Sequence, residues 1–156
     1  DTYLVFYERE YVYCKDDDVC IFVHDDRGRS TILEMMNMSR KVEKAWGHED
    51  RWAITDKYLG KILYINEGHR LSKQYHIEKD ETIYVLKGSL LLEIGPHYEY
   101  TDTESGIKMV LGEGECQRIR PGLIHRFCAD KGDVVLIEVS TAEIDDVVRL
   151  QDDYGR

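Results

Sequence analysis

Between Gly68 and Gly88 the chain reads GHRLSKQYHIEKDETIYVLKG, and its Gln74, His76 and Glu81 are the side chains best suited to chemistry. Successive side chains of an extended segment point to opposite faces, so Gln74 and His76 project from the same face about 6 to 7 Å apart. That separation lets both bind one ion. The polar run Glu78, Lys79, Asp80 suits a turn, after which Glu81 returns on the neighbouring strand to face them. The fourth member is His125, placed just after the Pro121-Gly122 turn that sets the start of another strand. Imidazole nitrogen is a good ligand for Zn²⁺, Fe²⁺, Mn²⁺ or Ni²⁺, and a carboxylate and an amide oxygen add harder donors. The expectation is one divalent ion held by Gln74, His76, Glu81 and His125, with zinc the first choice and Mn, Fe, Ni or Co the alternatives.

Such a site needs several strands to converge. Two prolines and twelve glycines punctuate the chain, the glycines concentrated after residue 56, and the segments between them are short and rich in Val, Ile, Leu and Tyr. Strands are expected at Leu59–Asn66, Arg70–Ile77, Thr82–Lys87, Leu90–Ile94, Lys108–Leu111, Cys116–Ile119, His125–Ala129 and Val134–Val139. This spacing predicts an all-β sandwich or barrel. Gly88-Ser89, between TIYVLK and LLLEI, reads as a hairpin turn. Upstream, Tyr3–Tyr13 and Val19–His24 read as outer strands. Ser30–Arg40, with apolar residues at 32, 33, 35 and 36, suits a short helix capped by Ser30. Ala142–Leu150 reads as a helical turn or an extended tail. The expected organisation is an N-terminal strand and helix arm over 1–41, packed on the barrel or on a partner subunit, and one barrel domain over 42–156.

With 156 residues the chain is long enough for one domain with a substantial core, burying roughly 70% of the surface of the unfolded chain. Its net charge of −10 disfavours a partner with a phosphate backbone or an anionic membrane surface. No apolar run approaches the roughly 20 residues that span a bilayer, and a cytoplasmic location is expected. The four cysteines, Cys14, Cys20, Cys116 and Cys128, contain no C-x-x-C pair and are expected to be reduced and packed. His24, His48, His69 and His97 fall outside the spacing described above and are expected to be structural.

On these residues the chain resembles the cupin superfamily. The first cupin motif, G-x5-H-x-H-x3–4-E-x6-G, is matched in every spacing by Gly68, Gln74, His76, Glu81 and Gly88. The second, G-x5-P-x-G-x2-H-x3-N, is matched by Gly114, Gly122 and His125, with Arg120 and Ala129 departing from it. Gln74 in place of the first histidine resembles the Q-x-H-x4-E arrangement of the cupin-type phosphomannose isomerases. Lys44-Ala-Trp46-Gly47 looks like their R/K-P-W-G segment, and Leu136-Ile-Glu138-Val with the stretch from Asp145 to Arg156 is similar to their C-terminal signature. The resemblance runs from about Val42 to Arg156. It implies a double-stranded β-helix, or jelly-roll barrel, and a metal-dependent aldose–ketose isomerase acting on mannose 6-phosphate or a related sugar phosphate. The bifunctional relatives add a sugar-nucleotide transferase domain, for which this sequence has neither the length nor a glycine-rich phosphate loop.

Such a reaction needs an ion with open positions, a proton carrier and a basic cradle for phosphate. Glu138 is the first candidate for the carrier, because it interrupts the apolar run Val134–Val139 and is costly to bury without a partner. Lys61 is its expected basic neighbour. For the phosphate the candidates are Arg118, Arg120 and Arg126, with Lys79 and Arg149 behind them. A cupin dioxygenase or lyase and a non-catalytic sugar-binding cupin are the alternative functions. The aromatic strand Tyr3–Tyr13 would be a hazardous free edge, which points to a homodimer.

Overall fold

Alternation of buried and half-buried residues runs through the segments after residue 39, as a sheet with one face on a core requires. The computed structural model describes residues 9–13, 19–24, 30–36, 39–99 and 105–155, and every regular element among them is a strand. The chain divides into two units, 1–39 and 40–156. The first holds β1 (Arg9–Tyr13), β2 (Val19–His24) and β3 (Ser30–Met36) as one antiparallel sheet in that order.

The second unit contains β4 (Arg40–Lys44), β5 (Gly47–Ile54), β6 (Leu59–Ile65), β7 (Lys73–Tyr75), β8 (Glu81–Lys87), β9 (Leu90–His97) and β10 (Ile107–Leu111). It continues with β11 (Cys116–Ile119), β12 (Leu123–Cys128), β13 (Val134–Ser140) and β14 (Val148–Gln151). Six strands form one sheet in the order β11-β8-β13-β6-β5-β4, and five form the other in the order β10-β9-β12-β7-β14. Their inner faces enclose an apolar core that includes Leu63, Ile83, Val85, Leu92, Phe127 and Leu136. The all-β expectation holds.

Several elements differ from the sequence reading. Ser30–Met36 is a strand and not a helix: β3 pairs with β2 from Val19↔Met36 to His24↔Ser30, and a separate strand begins at Arg40. The run Thr31-Ile32-Leu33 has two β-branched residues and a short apolar stretch, so its period is compatible with either state and the neighbouring strand decides. The Gly88-Ser89 turn does not close a hairpin, because β8 and β9 lie in different sheets. Ile83 and Val85 before the turn and Leu90 and Leu92 after it are all fully buried, which places the two strands on opposite walls of one core. Gly88 makes that crossing at φ +88°, with no room for a side chain: a Cβ there would lie 2.4 Å from the Asp133 carbonyl oxygen. The strand expected over Arg70–Ile77 contracts to β7, with Arg70 making an isolated bridge to Cys128. Ala142–Leu150 is a turn followed by the start of β14. Strands β4 and β5 had no forecast, since their charge obscures the alternation. Residues 3–8 of the expected first strand lie outside the described residues.

Of the cysteines, Cys128 is buried and free, its thiol pushed up to about 11 by burial and by the nearby Glu93 carboxylate. Cys116 is free but exposed, so packing does not explain it.

Candidate metal centre

His76, Glu81 and His125 reach one point from three separate parts of the barrel. Glu81 opens β8, His125 sits in β12, and His76 follows the last residue of β7. All three are almost fully buried, and one ligand atom from each lies within 4.8 Å of the others. Both histidines use Nδ1 on a backbone carbonyl, His76 on Asp146 and His125 on Leu123 at 2.9 Å. A carbonyl only accepts, so Nδ1 carries the proton in each ring and a neutral ring offers a lone pair at Nε2.

Those lone pairs face the carboxylate. His125 Nε2 lies 3.3 Å from Glu81 Oε1 and His76 Nε2 lies 3.5 Å from Oε2. Neither approach has hydrogen-bond alignment, and His76 Nε2, His125 Nε2 and Glu81 Oε1 are buried without a hydrogen-bond partner. Three unsatisfied acceptors at one point repel one another, and a cation between them removes both the repulsion and the desolvation cost. The donor set of two imidazoles and a carboxylate therefore fits a divalent first-row metal. Gln74 stands opposite His125 in the β7–β12 pairing and lines a cavity with His76 and Glu81, its Oε1 accepting from Ser72 Oγ at 2.7 Å.

Beside the triad lies a buried chain of charges. Lys79 Nζ bonds Glu81 Oε2 and lies 2.9 Å from Glu138 Oε1, which also accepts from Lys61 Nζ at 3.1 Å. Strand register builds half of this chain, since Glu138 and Lys61 are direct partners across β13 and β6. Burial works against the Lys79 ammonium, but Glu138 and Glu81 outweigh it and hold its pKa above the usual lysine value. Burial likewise pushes Glu81 up, yet its charged surroundings, the Lys79 ammonium among them, bring it well below the usual carboxylate range. Lys79 is thus clamped between two carboxylates that favour its charged form.

The adjoining cavity, lined by His76 and Glu81, measures about 630 Å³ counting the space that opens to solvent. Five cationic side chains line it, Lys44, Arg51, Lys61, Lys79 and Arg149, against three carboxylates, Glu49, Glu81 and Glu138. The excess is positive in a chain of net charge −10. Glu49 accepts from Arg51 at 2.6 and 2.8 Å and pairs with Lys44 at 3.3 Å. Among the described residues Arg149 makes no ion pair; it stands opposite Gln74 at the β14 edge, exposed, at the cavity mouth.

The other basic residues singled out from the sequence sit elsewhere. Arg118 is exposed on β11 and forks onto both oxygens of Asp80, at 2.9 and 2.5 Å. Arg120 is exposed and lines no part of the cavity. Arg126 is buried on the face of β12 opposite His125, donating to the Gln151 carbonyl at 3.1 Å. The sequence reading missed Lys44, Glu49 and Arg51. Its available signal was the alternation of Glu49 and Arg51 on β5, which puts both on the face away from the exposed Trp52.

The family described as "Mannose-6-phosphate isomerase C-terminal" matches residues 32–152. The mannose-1-phosphate guanylyltransferase ManC of Salmonella typhimurium is 32% identical over 123 residues, covering 77% of this chain and 24% of that protein. The chain thus spans about a quarter of the length of the curated relatives it matches. Among solved structures, the capsular polysaccharide assembling protein CapF from Staphylococcus aureus superposes with a TM-score of 0.64 at 17% identity, covering 74% of this chain and 32% of that one. A double-stranded β-helix protein from Klebsiella pneumoniae gives 0.55 at 14% identity, covering 67% and 84%. At those identities the structural likeness concerns the fold, the cupin double-stranded β-helix.

Proposed function

We propose, from the premise that this chain belongs to the mannose-6-phosphate isomerase C-terminal family, that it is a metal-dependent aldose–ketose isomerase of sugar phosphates. The observation that carries the reading is the convergence of three buried, unsatisfied ligand atoms beside a cavity with an excess of cations, which His76 and Glu81 line. His76, Glu81, His125 and Gln74 would hold the ion, which supplies Lewis-acid stabilisation of charge developing on the sugar oxygens when bound. Glu138 faces the same space and is the candidate to take a proton from one carbon and return it to the next, with Lys61 holding its carboxylate. Lys79, kept cationic by Glu138 and Glu81, adds fixed positive charge beside the reacting carbons. Arg149 at the mouth, with Lys44 and Arg51 on the wall, suits the phosphate better than Arg118, Arg120 or Arg126, none of which lines the cavity.

The test is elemental analysis of the purified protein, followed by conversion of mannose 6-phosphate to fructose 6-phosphate by wild type and His76→Ala. Wild type should carry about one equivalent of metal and turn over, and His76→Ala should lose both. Wild type that is fully loaded yet inert discards the isomerase. One observation favours a second reading, a sugar-binding cupin without turnover: Glu138 Oε1 already meets two lysines. That reading requires sugar phosphate to bind the loaded, inert protein.

A further inference from the structure

We infer that Asp146 is the positioning residue of this centre, setting through two different groups both the ring of His76 and the path of the chain from His76 to Glu81. The inference rests on the metal reading above and concerns a residue that touches neither ion nor substrate.

The three ligands are held in unequal ways. Glu81 and His125 belong to strands whose backbones are fixed by ladder hydrogen bonds on both sides. His76 does not. Strand β7 ends at Tyr75 and β8 begins at Glu81, so residues 76–80 connect two ligands without a sheet partner. Their backbone N–H groups still need acceptors.

The segment from Thr141 to Val147 supplies them. Asp146 Oδ1 accepts from the Ile77 N–H at 3.0 Å, and its Oδ2 accepts from Glu78 at 2.7 Å and Lys79 at 2.8 Å. At the other end Thr141 Oγ1 accepts from the Asp80 N–H at 3.1 Å, and the Thr141 N–H returns a bond to the Asp80 carbonyl at 3.1 Å. Four consecutive N–H groups are thereby satisfied from one segment, three of them by a single carboxylate. Meanwhile the Asp146 backbone carbonyl accepts from His76 Nδ1. That bond places the ring proton on Nδ1 and turns Nε2 toward Glu81 and His125.

The two roles are coupled because they share one residue. Losing the carboxylate frees residues 77–79, and with them Lys79, whose ammonium bonds both Glu81 and Glu138. It also releases the carbonyl that orients His76. Groups that orient a metal-binding histidine typically change metal affinity about 10–100-fold. A loop carboxylate that stabilised only its own turn would leave metal affinity untouched.

The experiment compares wild type, Asp146→Ala, Asp146→Asn and the core variant Leu136→Ala. Zn²⁺ affinity is measured by chelator competition, and the His76 ring tautomer by ¹⁵N NMR of the metal-free protein. Wild type should show the Nδ1–H tautomer. Asp146→Ala should weaken Zn²⁺ about 10–100-fold and mix the tautomers, with Asp146→Asn between the two because its amide keeps one acceptor oxygen. Leu136→Ala, though less stable, should keep wild-type affinity and tautomer. Should Asp146→Ala fail to fold, Asp146→Asn carries the same comparison. Unchanged Zn²⁺ affinity and tautomer in the folded variants overturn the inference alone, whereas wild type that takes up no Zn²⁺ overturns it together with the proposed function. Absence of isomerase turnover, with these differences present, removes only the proposed reaction.

Discussion

At one end of the barrel Leu63, Val85 and Leu136 meet across β6, β8 and β13, each essentially without exposure; two to four residues further along, the inward positions of those same strands are Lys61, Glu81 and Glu138. Backbone pairing continues unbroken through the change. The apolar end is held by burial and close packing, which tolerate substitution in proportion to the volume removed. The charged end is held by complementarity, in which each buried group depends on a named partner. The difference teaches that the strands act as a common scaffold, with apolar packing placed at one end and paired buried charge at the other.

The largest expected effect tests that dependence. Glu138→Leu leaves Lys61 buried without its carboxylate and should cost about 3–5 kcal/mol, while the double variant Lys61→Met with Glu138→Leu should recover most of it, as read by urea unfolding. If the single and double variants unfold together, the charged end is not organised by pairing. Two residues away, Leu136→Ala should cost about 2–5 kcal/mol, with bound metal unchanged by elemental analysis. A parallel loss of metal would show that the two ends are not separable.

A smaller effect should appear with pH. Burial pushes the Glu49 carboxyl up, but Lys61, Arg51 and Lys44 outweigh it and hold its pKa below the usual value. A depressed folded-state pKa contributes stability that is complete above the unfolded value, about 4.3, and is lost as pH falls through the folded value. Melting temperature should therefore drop as the solution is acidified below about pH 4.3, and Glu49→Gln should flatten that limb. Equal slopes for the two proteins would remove Glu49 from the account. The smallest effect is at the surface. Arg118 and Asp80 form a well-aligned but exposed pair, so Arg118→Ala should move neither melting temperature nor metal content.

Much of this was legible in the linear chain. The spacing of Gln74, His76 and Glu81 is local, and strand periodicity with one turn suffices to bring such residues to one side. The break that Glu138 makes in an apolar run was visible for the same reason. Less legible were elements whose state depends on a neighbour. Ser30–Met36 becomes a strand because β2 lies beside it, and Gly88-Ser89 becomes a crossing because both flanking segments must bury a face.

What the sequence by itself determined was the all-β class, the approximate positions of most strands in the barrel and the local spacing of Gln74, His76 and Glu81, since all three follow from residue types at separations of a few residues. Only the tertiary structure decided that Lys79 bridges Glu81 and Glu138 and that Asp146, 67 residues along the chain, accepts from the Lys79 backbone N–H. It also decided which cations line the cavity: Lys44, Arg51 and Arg149, while Arg118, Arg120 and Arg126 do not. The physical reason is that a strand's period sets which way a side chain points, whereas its partner depends on sheet order, on register and on where the C-terminal segment returns.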